Sequence, residues 1–563
     1  MGWRCNRLRL RVNSLTDQNM KRQTLPRGRR DFLAKLIALG ASAAGPGLSA
    51  TYAAAAQASQ RAPIADSHDY VIVGAGSAGC LLADRLSATG ASVLLIEAGS
   101  NLIEKPKISQ VADWAQNLGS DTDWARKSVP QPGFANRAET LSAGKVWGGS
   151  GSINGMIWQR ADPRDYLQWH RLVGDPWRPE ALNRAYLDVV QPAGHAGDAV
   201  AGRLTVGRYA DAHPLTGAFL AASMQTGLRA IDLSAGLALD GVGVSYVNAT
   251  PDGHRSAPAE AMLAPALVRP NLDVITGALV TRLVMRGTHC HGVELVVDGE
   301  RVTCNANRET IVCAGACESP RILMLSGIGP IDQLAPHNIQ VRQALPAVGR
   351  NLHDHLLLRF VFKAKTAVPP PVSNGFSTMA FYGMSGQQYA PDIQVIGMQY
   401  PYGTDVPAGA GYTVKPFLVK PRSRGAISLT SADPLAPLAI DPRYLEEAVD
   451  RDNVIAGVER SIDIGSGMHE FYGSLVPDVP LRSRADKLAF ITANAAPGMH
   501  YAGTCAAGRD PAMSVVDSHF RVWGVEGLRV VDASVIPEVP AVNAHAPMLT
   551  IAQLAASYCQ LVP

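Results

Sequence analysis

The residues with the plainest chemical meaning are Gly74-Ala75-Gly76-Ser77-Ala78-Gly79 and, about 20 residues further on, Glu97. The three glycines of such a run have separate tasks. Gly74 permits a tight turn, Gly76 lets the backbone approach a pyrophosphate, and Gly79 lets helix and strand pack closely. A helix that starts at Ser77 offers unpaired N–H groups and the positive end of its dipole to phosphate. Glu97 is placed to accept from a ribose hydroxyl. This constellation predicts dinucleotide binding and does not separate NAD from FAD.

Apolar runs supply the elements that would hold these residues. His68 to Val73 reads as a strand, Ser77 to about Ser87 as a helix, and Ala91 to Ile96 as a second strand ending at Glu97. A second Gly-rich stretch, Ala143 to Asn154, is too apolar for a linker and suits backbone lying against a flat ring. Thr310 to Ala314 reads as a buried strand. It turns into a helix from Arg321 to Leu325, with Ser319 as the cap and Pro320 in the first turn. Leu528 to Val531 is a short strand with Asp532 at its tip, where an acid meets a ribityl or phosphate-adjacent group or caps a turn. Between roughly 356 and 490, segments such as Asp392 to Met398 and Tyr412 to Val419 suggest antiparallel strands of a separate substrate-facing unit.

The bulk properties narrow the class. A chain of 563 residues exceeds one simple core, and 47% hydrophobic with 18% charged residues is a globular balance. No run of 18 apolar residues marks a membrane span. Residues 1–56 hold ten Lys and Arg against Asp17 and Asp31, so the formal +3 of the whole becomes −5 without them. A mildly acidic body has no electrostatic footprint for nucleic acid. Arg29-Arg30-Asp31-Phe32-Leu33-Ala34-Lys35, followed by a short apolar stretch, looks like a twin-arginine export signal, with Met20 as an alternative start. The expected location is therefore periplasmic or secreted. Seven cysteines remain beyond that segment, an odd and scattered set that is no disulfide framework. Cys313 and Cys317 read as small buried residues rather than metal ligands, and no metal site is expected.

Taken together, these motifs resemble the glucose–methanol–choline family of FAD oxidoreductases from about Asp69 to Ser557. Gly144 to Trp158 is similar to the family's first signature, and Gly315 to Gly329 to its second. Val341 to His355, Ser431 to Pro442 and Gly527 to Ala552 resemble further family stretches. The resemblance implies an α/β fold: an FAD-binding Rossmann-like domain with an inserted antiparallel-sheet substrate domain. It divides the chain into the FAD-binding domain (66–345), the substrate domain (346–510) and a C-terminal return (511–563). Gly74, Gly76, Ser77, Ala78, Gly79 and Glu97 would hold the ADP half, with Val280 offering backbone to adenine. Val146, Gly148 and Asn154 would lie near the isoalloxazine, and Asp532 and Ala533 near the ribityl–pyrophosphate stretch. Some relatives attach flavin through a histidine just before Asn154; this chain has Ile153, so FAD is expected to be non-covalent.

The implied activity is oxidation of an alcohol, with hydride leaving to flavin N5 and the hydroxyl proton leaving to a base. Histidine suits that base at neutral pH. The resemblance assigns His500 as the general base, with His545 orienting the oxygen and steadying its charge. The partners would be a small-molecule alcohol and an electron acceptor, either oxygen or a quinone or cytochrome; the oligomeric state is not legible. His353 and His355 read as structural or surface residues. Tyr501, Ala506-Ala507 and Gly151 depart from the family pattern and loosen any transfer of substrate preference. A flavin-containing lyase of the hydroxynitrile lyase kind is the alternative on the same scaffold. A nicotinamide dehydrogenase would use only Gly74 to Glu97, and a catalytically dead binding protein would not need both histidines.

Overall fold

The computed structural model describes residues 65–101, 106–192, 203–209, 212–476 and 481–560. The export segment read at 1–56 lies outside them. β1 (Ser67–Val73), α1 (Ser77–Ser87) and β2 (Val93–Ile96) follow the expected order. Val71, Ile72 and Val73 are buried, as a continuous apolar run requires in a parallel strand covered on both faces. β3 (Leu272–Ile275) extends this sheet beyond β2, and β4 (Ala278–Arg286), β5 (His289–Val297) and β6 (Glu300–Val312) complete it from the other side.

β6 has two partners in succession. Its first residues, Glu300 to Asn305, pair antiparallel with β5. Its last, Thr310 to Val312, pair in parallel with β7 (Leu528–Val530), which returns from the far end of the chain. The buried strand read at Thr310 is thus the end of a 13-residue strand. Its early half alternates and looks polar, which hid it.

α2 (Ser150–Ile153) carries the second Gly-rich stretch, and α3 (Gly315–Leu325) follows β6. α3 begins at Gly315, not at Arg321, so Ser319 is no cap and Pro320 lies inside the helix. Two distant side chains make this possible. The Asp532 carboxylate accepts from the Gly315 N–H at 2.9 Å and from the Ser319 hydroxyl, taking over the cap. Pro320 has no N–H for the Ala316 carbonyl four residues back. The Thr504 hydroxyl donates to that carbonyl instead, at 2.6 Å.

A second sheet is antiparallel throughout. Its order runs Tyr472–Val476, Phe360–Ala364, Gly411–Leu418, Ile393–Met398, Phe376–Tyr382 and Val242–Val244. The last of these strands comes from within the 66–345 span. Alternation along Gly411–Leu418 sends Tyr412, Val414 and Leu418 into a core shared with Val454 and Val458 of α4 (Ala448–Gly467). Lys415 and Phe417 point the other way, into the cavity described below. α5 (His545–Cys559) closes the chain and packs on α1. Among the described residues the seven cysteines are free and buried, and no helix is long and apolar enough to cross a membrane.

Candidate active site

One cavity runs between the two sheets and joins most of the residues singled out from sequence. Gly74, Gly76, Ser77, Ala78, Glu97, Val280, Asp532 and Ala533 line it from the parallel sheet; Asn154, His500 and His545 line it further on. Gly79, Val146 and Gly148 stand behind the wall. A Cβ on Gly79 would lie 1.9 Å from the Gly74 carbonyl oxygen, so only glycine lets the turn sit on α1. The Gly148 N–H donates to the Ala75 carbonyl at 2.7 Å, tying one Gly-rich segment to the other. Val146 is fully buried beside that tie.

The nucleotide end has the donors and acceptors that its sequence implies. The first N–H groups of α1 have no partner within the helix. Glu97 accepts from the Ala75 N–H and the Gly99 N–H, both at 2.8 Å, one on each oxygen. Each oxygen keeps a lone pair for a hydroxyl. Burial pushes the Glu97 carboxyl up to about 7, against the two backbone N–H groups and Lys145 that pull it down.

At the other end, His500 follows Met499, which has a φ of +64°, a left-handed conformation uncommon for methionine. Asp354 holds this turn. Its carboxylate accepts from the N–H of Gly498 at 3.0 Å, Met499 at 3.2 Å and His500 at 2.6 Å, and from the Tyr444 hydroxyl at 2.6 Å.

The imidazole contacts assign its protons. His355 Nε2 lies 2.9 Å from the Pro540 carbonyl oxygen, which can only accept, so that nitrogen carries hydrogen. Burial holds His355 well below its ordinary pKa, so it is neutral and its Nδ1 is bare. His500 Nδ1 lies 2.8 Å from His355 Nδ1 and must be the donor of that pair. His500 Nε2 therefore presents a lone pair. Burial, with the Lys415 charge second, lowers His500 to about 4, so the lone pair is present at neutral pH.

His545 has the opposite polarity. The Asn154 carbonyl oxygen accepts from Arg255 at 2.8 Å and from the Met156 N–H at 2.9 Å, which turns its amide nitrogen toward His545 Nδ1 at 3.3 Å. The proton of the neutral ring then sits on Nε2, a buried atom without a partner. That nitrogen faces Gly151, where a Cβ would lie 2.9 Å away. Burial and then Arg255 lower His545 to about 3.

The structure does not join His500 to His545 by any contact. The residue beside His500 Nε2 is Asn543, whose amide nitrogen is 3.4 Å away. Sequence reading missed Asn543, Asp354 and the role of His355. His355 is fully buried, not at the surface, and touches His500; His353 is a buried structural residue that accepts from the Val539 N–H. The His353-Asp354-His355 run was the available signal.

A dinucleotide turn on a parallel sheet, continued by a cavity under an antiparallel sheet that presents a neutral imidazole lone pair, defines a nucleotide-cofactor oxidoreductase. The chain belongs to the GMC oxidoreductase family, whose two models match residues 68–357 and 421–552. Members bind FAD, and the enzyme acts on CH–OH groups. The chain is 36% identical to an uncharacterized GMC-type oxidoreductase of Mycobacterium tuberculosis, over 87% of this chain and 98% of the other. It is 33% identical to an alcohol dehydrogenase [acceptor] of Pseudomonas putida, over 87% and 95%. The crystal structure of pyridoxine 4-oxidase from Mesorbium loti superposes with a TM-score of 0.80 at 33% identity, covering 87% of this chain and 98% of that one.

Proposed function

We propose that this enzyme oxidises an alcohol to an aldehyde or ketone with His500 as the general base. FAD bound along the cavity supplies the hydride acceptor at N5. The single observation that carries the reading is the bare Nε2 of His500 in the cavity wall, fixed by the proton order through His355 to Pro540.

Asn543 and His500 form one receptor for a hydroxyl. An alcohol oxygen seated between them gives its proton to Nε2 and accepts from the Asn543 amide N–H, which shapes the gap of 3.4 Å into a binding position. Asn543 is held in turn by the Gln394 amide, which donates to its carbonyl oxygen at 3.4 Å. His545 Nε2–H is a second donor in the same cavity, suited to steadying negative charge. Neutral donors and a neutral acceptor suit a step in which the proton moves away from oxygen while hydride leaves carbon, because no charged group must be desolvated first.

FAD is held without a covalent bond in this reading, because Ile153, in the cavity wall just before Asn154, has no nucleophilic atom. Export through the twin-arginine route, read from Arg29-Arg30, completes the proposal; N-terminal sequencing of the periplasmic protein checks it. The decisive experiment is anaerobic mixing of FAD-loaded enzyme with a panel of alcohols. The flavin absorbance should bleach with wild type and fall by about 100-fold or more in rate with His500→Ala, while FAD stays bound. Near-normal bleaching in that variant overturns the assignment.

A further inference from the structure

Lys415 stands on the strand Gly411–Leu418, whose residues are all buried, and lines the same cavity as His500. It is 5% exposed. A lysine ammonium has three N–H donors. Among the described residues none of the three meets an oxygen acceptor, and no carboxylate pairs with the charge. What surrounds it is aromatic: the Nζ lies 5.6 Å from the Phe376 ring centre, 5.4 Å from Tyr402 and 5.3 Å from Phe417. The one charged group acting on it is another cation, Arg359, whose Nε is also buried without a partner.

Aromatic faces alone leave this arrangement incomplete. A cation–π contact is worth about 0.5–2 kcal/mol, whereas burying an ammonium costs several. Burial, with Arg359 adding to it, pushes Lys415 down to about 7, so the chain itself does not complete its charge. An anion entering the cavity would. It would also find flat apolar walls in Trp114, Phe376 and Phe417. Because the Lys415 charge acts directly on His500, one small molecule spans both groups.

We propose that Lys415 sets specificity: the alcohol that this enzyme takes carries an anionic oxygen group of the carboxylate class, which accepts from the Lys415 ammonium while its carbinol reaches His500 Nε2. The proposal rests on the alcohol-oxidation reading above. It also means that cationic alcohols are repelled, since two cations and no acid face them.

The test uses FAD-loaded full-length enzyme and three para-substituted alcohols: para-(hydroxymethyl)benzoate, benzyl alcohol, and the para-trimethylammonium analogue. Anaerobic flavin reduction should favour the carboxylate over benzyl alcohol by about 10- to 100-fold in the second-order rate, the worth of one charged hydrogen bond, with the cation slowest. Lys415→Met should erase the preference, and Lys415→Arg should retain most of it. The pair of gamma-hydroxybutyrate and butanol repeats the comparison with a smaller body. Binding of the inert para-methylbenzoate, read as a shift of the flavin spectrum, should be present in wild type and Lys415→Arg and lost in Lys415→Met. Equal rates for the three alcohols, or a carboxylate preference that survives in Lys415→Met, overturns the inference while leaving alcohol oxidation standing. Binding of para-methylbenzoate through Lys415, with no alcohol able to bleach the flavin, overturns alcohol oxidation and keeps the anion site.

Discussion

His355 Nδ1 lies 2.8 Å from His500 Nδ1, and the two rings meet edge to face at 82°. Because His355 is pinned on its other side to the Pro540 carbonyl, it can only accept from His500. The base is thus oriented by a buried neutral imidazole, not by a carboxylate, and gains no negative charge to raise its pKa.

Replacing His355 by Phe keeps the ring volume and removes the acceptor. His500 is then free to carry its proton on Nε2, the wrong nitrogen for a base. The rate of flavin reduction by a neutral alcohol should fall by about 10- to 100-fold, with FAD affinity unchanged. His355→Gln, which offers an amide oxygen, should recover part of the loss. Stopped-flow absorbance on the three proteins decides it, and an unchanged rate in His355→Phe removes His355 from the mechanism.

The pH profile carries the sign of the His500 shift. A protonated imidazole has no lone pair, so reduction is lost as pH falls through the pKa and is flat above it. With benzyl alcohol the acid limb should lie near 4 rather than the ordinary 6.5. Lys415→Met removes the second cause of the depression and should move the limb upward, toward but not reaching 6.5, because burial remains. A wild-type limb at 6.5 would place His500 in a wetter setting than its surroundings imply.

Thr504→Val tests the repair of the helix break at Pro320. The Ala316 carbonyl loses its only replacement donor inside the protein. The cost should be about 1–3 kcal/mol, with Thr504→Ser nearly neutral. Thermal melts of the FAD-loaded proteins measure the difference, and equal melting of all three would mean that the carbonyl finds another partner.

Ile153 makes the flavin linkage testable in one step. Acid precipitation of the holoenzyme should leave a colourless pellet and a yellow supernatant. A yellow pellet would reveal a bond to some other side chain of the cavity wall.

The sequence by itself determined the local units: the turn at Gly74 to Gly79, α1, β2 ending at Glu97, and the strands at Asp392 and Tyr412. Short-range periodicity and steric demands on glycine encode these, and both are written in consecutive residues. It also marked His500 and His545 as candidates through their resemblance to family motifs. Tertiary structure alone decided what those imidazoles do. His355 and His500 are 145 positions apart, Asn154 and His545 are 391 apart, and Ser319 meets an acid 213 positions away. No periodicity relates such residues; sheet register and packing bring them within 3.5 Å, and only then do proton positions and pKa values follow. Lys415 shows the boundary between the two. Its presence in an apolar strand was visible from the start, but whether it met an acid, water or the substrate cavity depended on which face of that strand the second sheet turned inward.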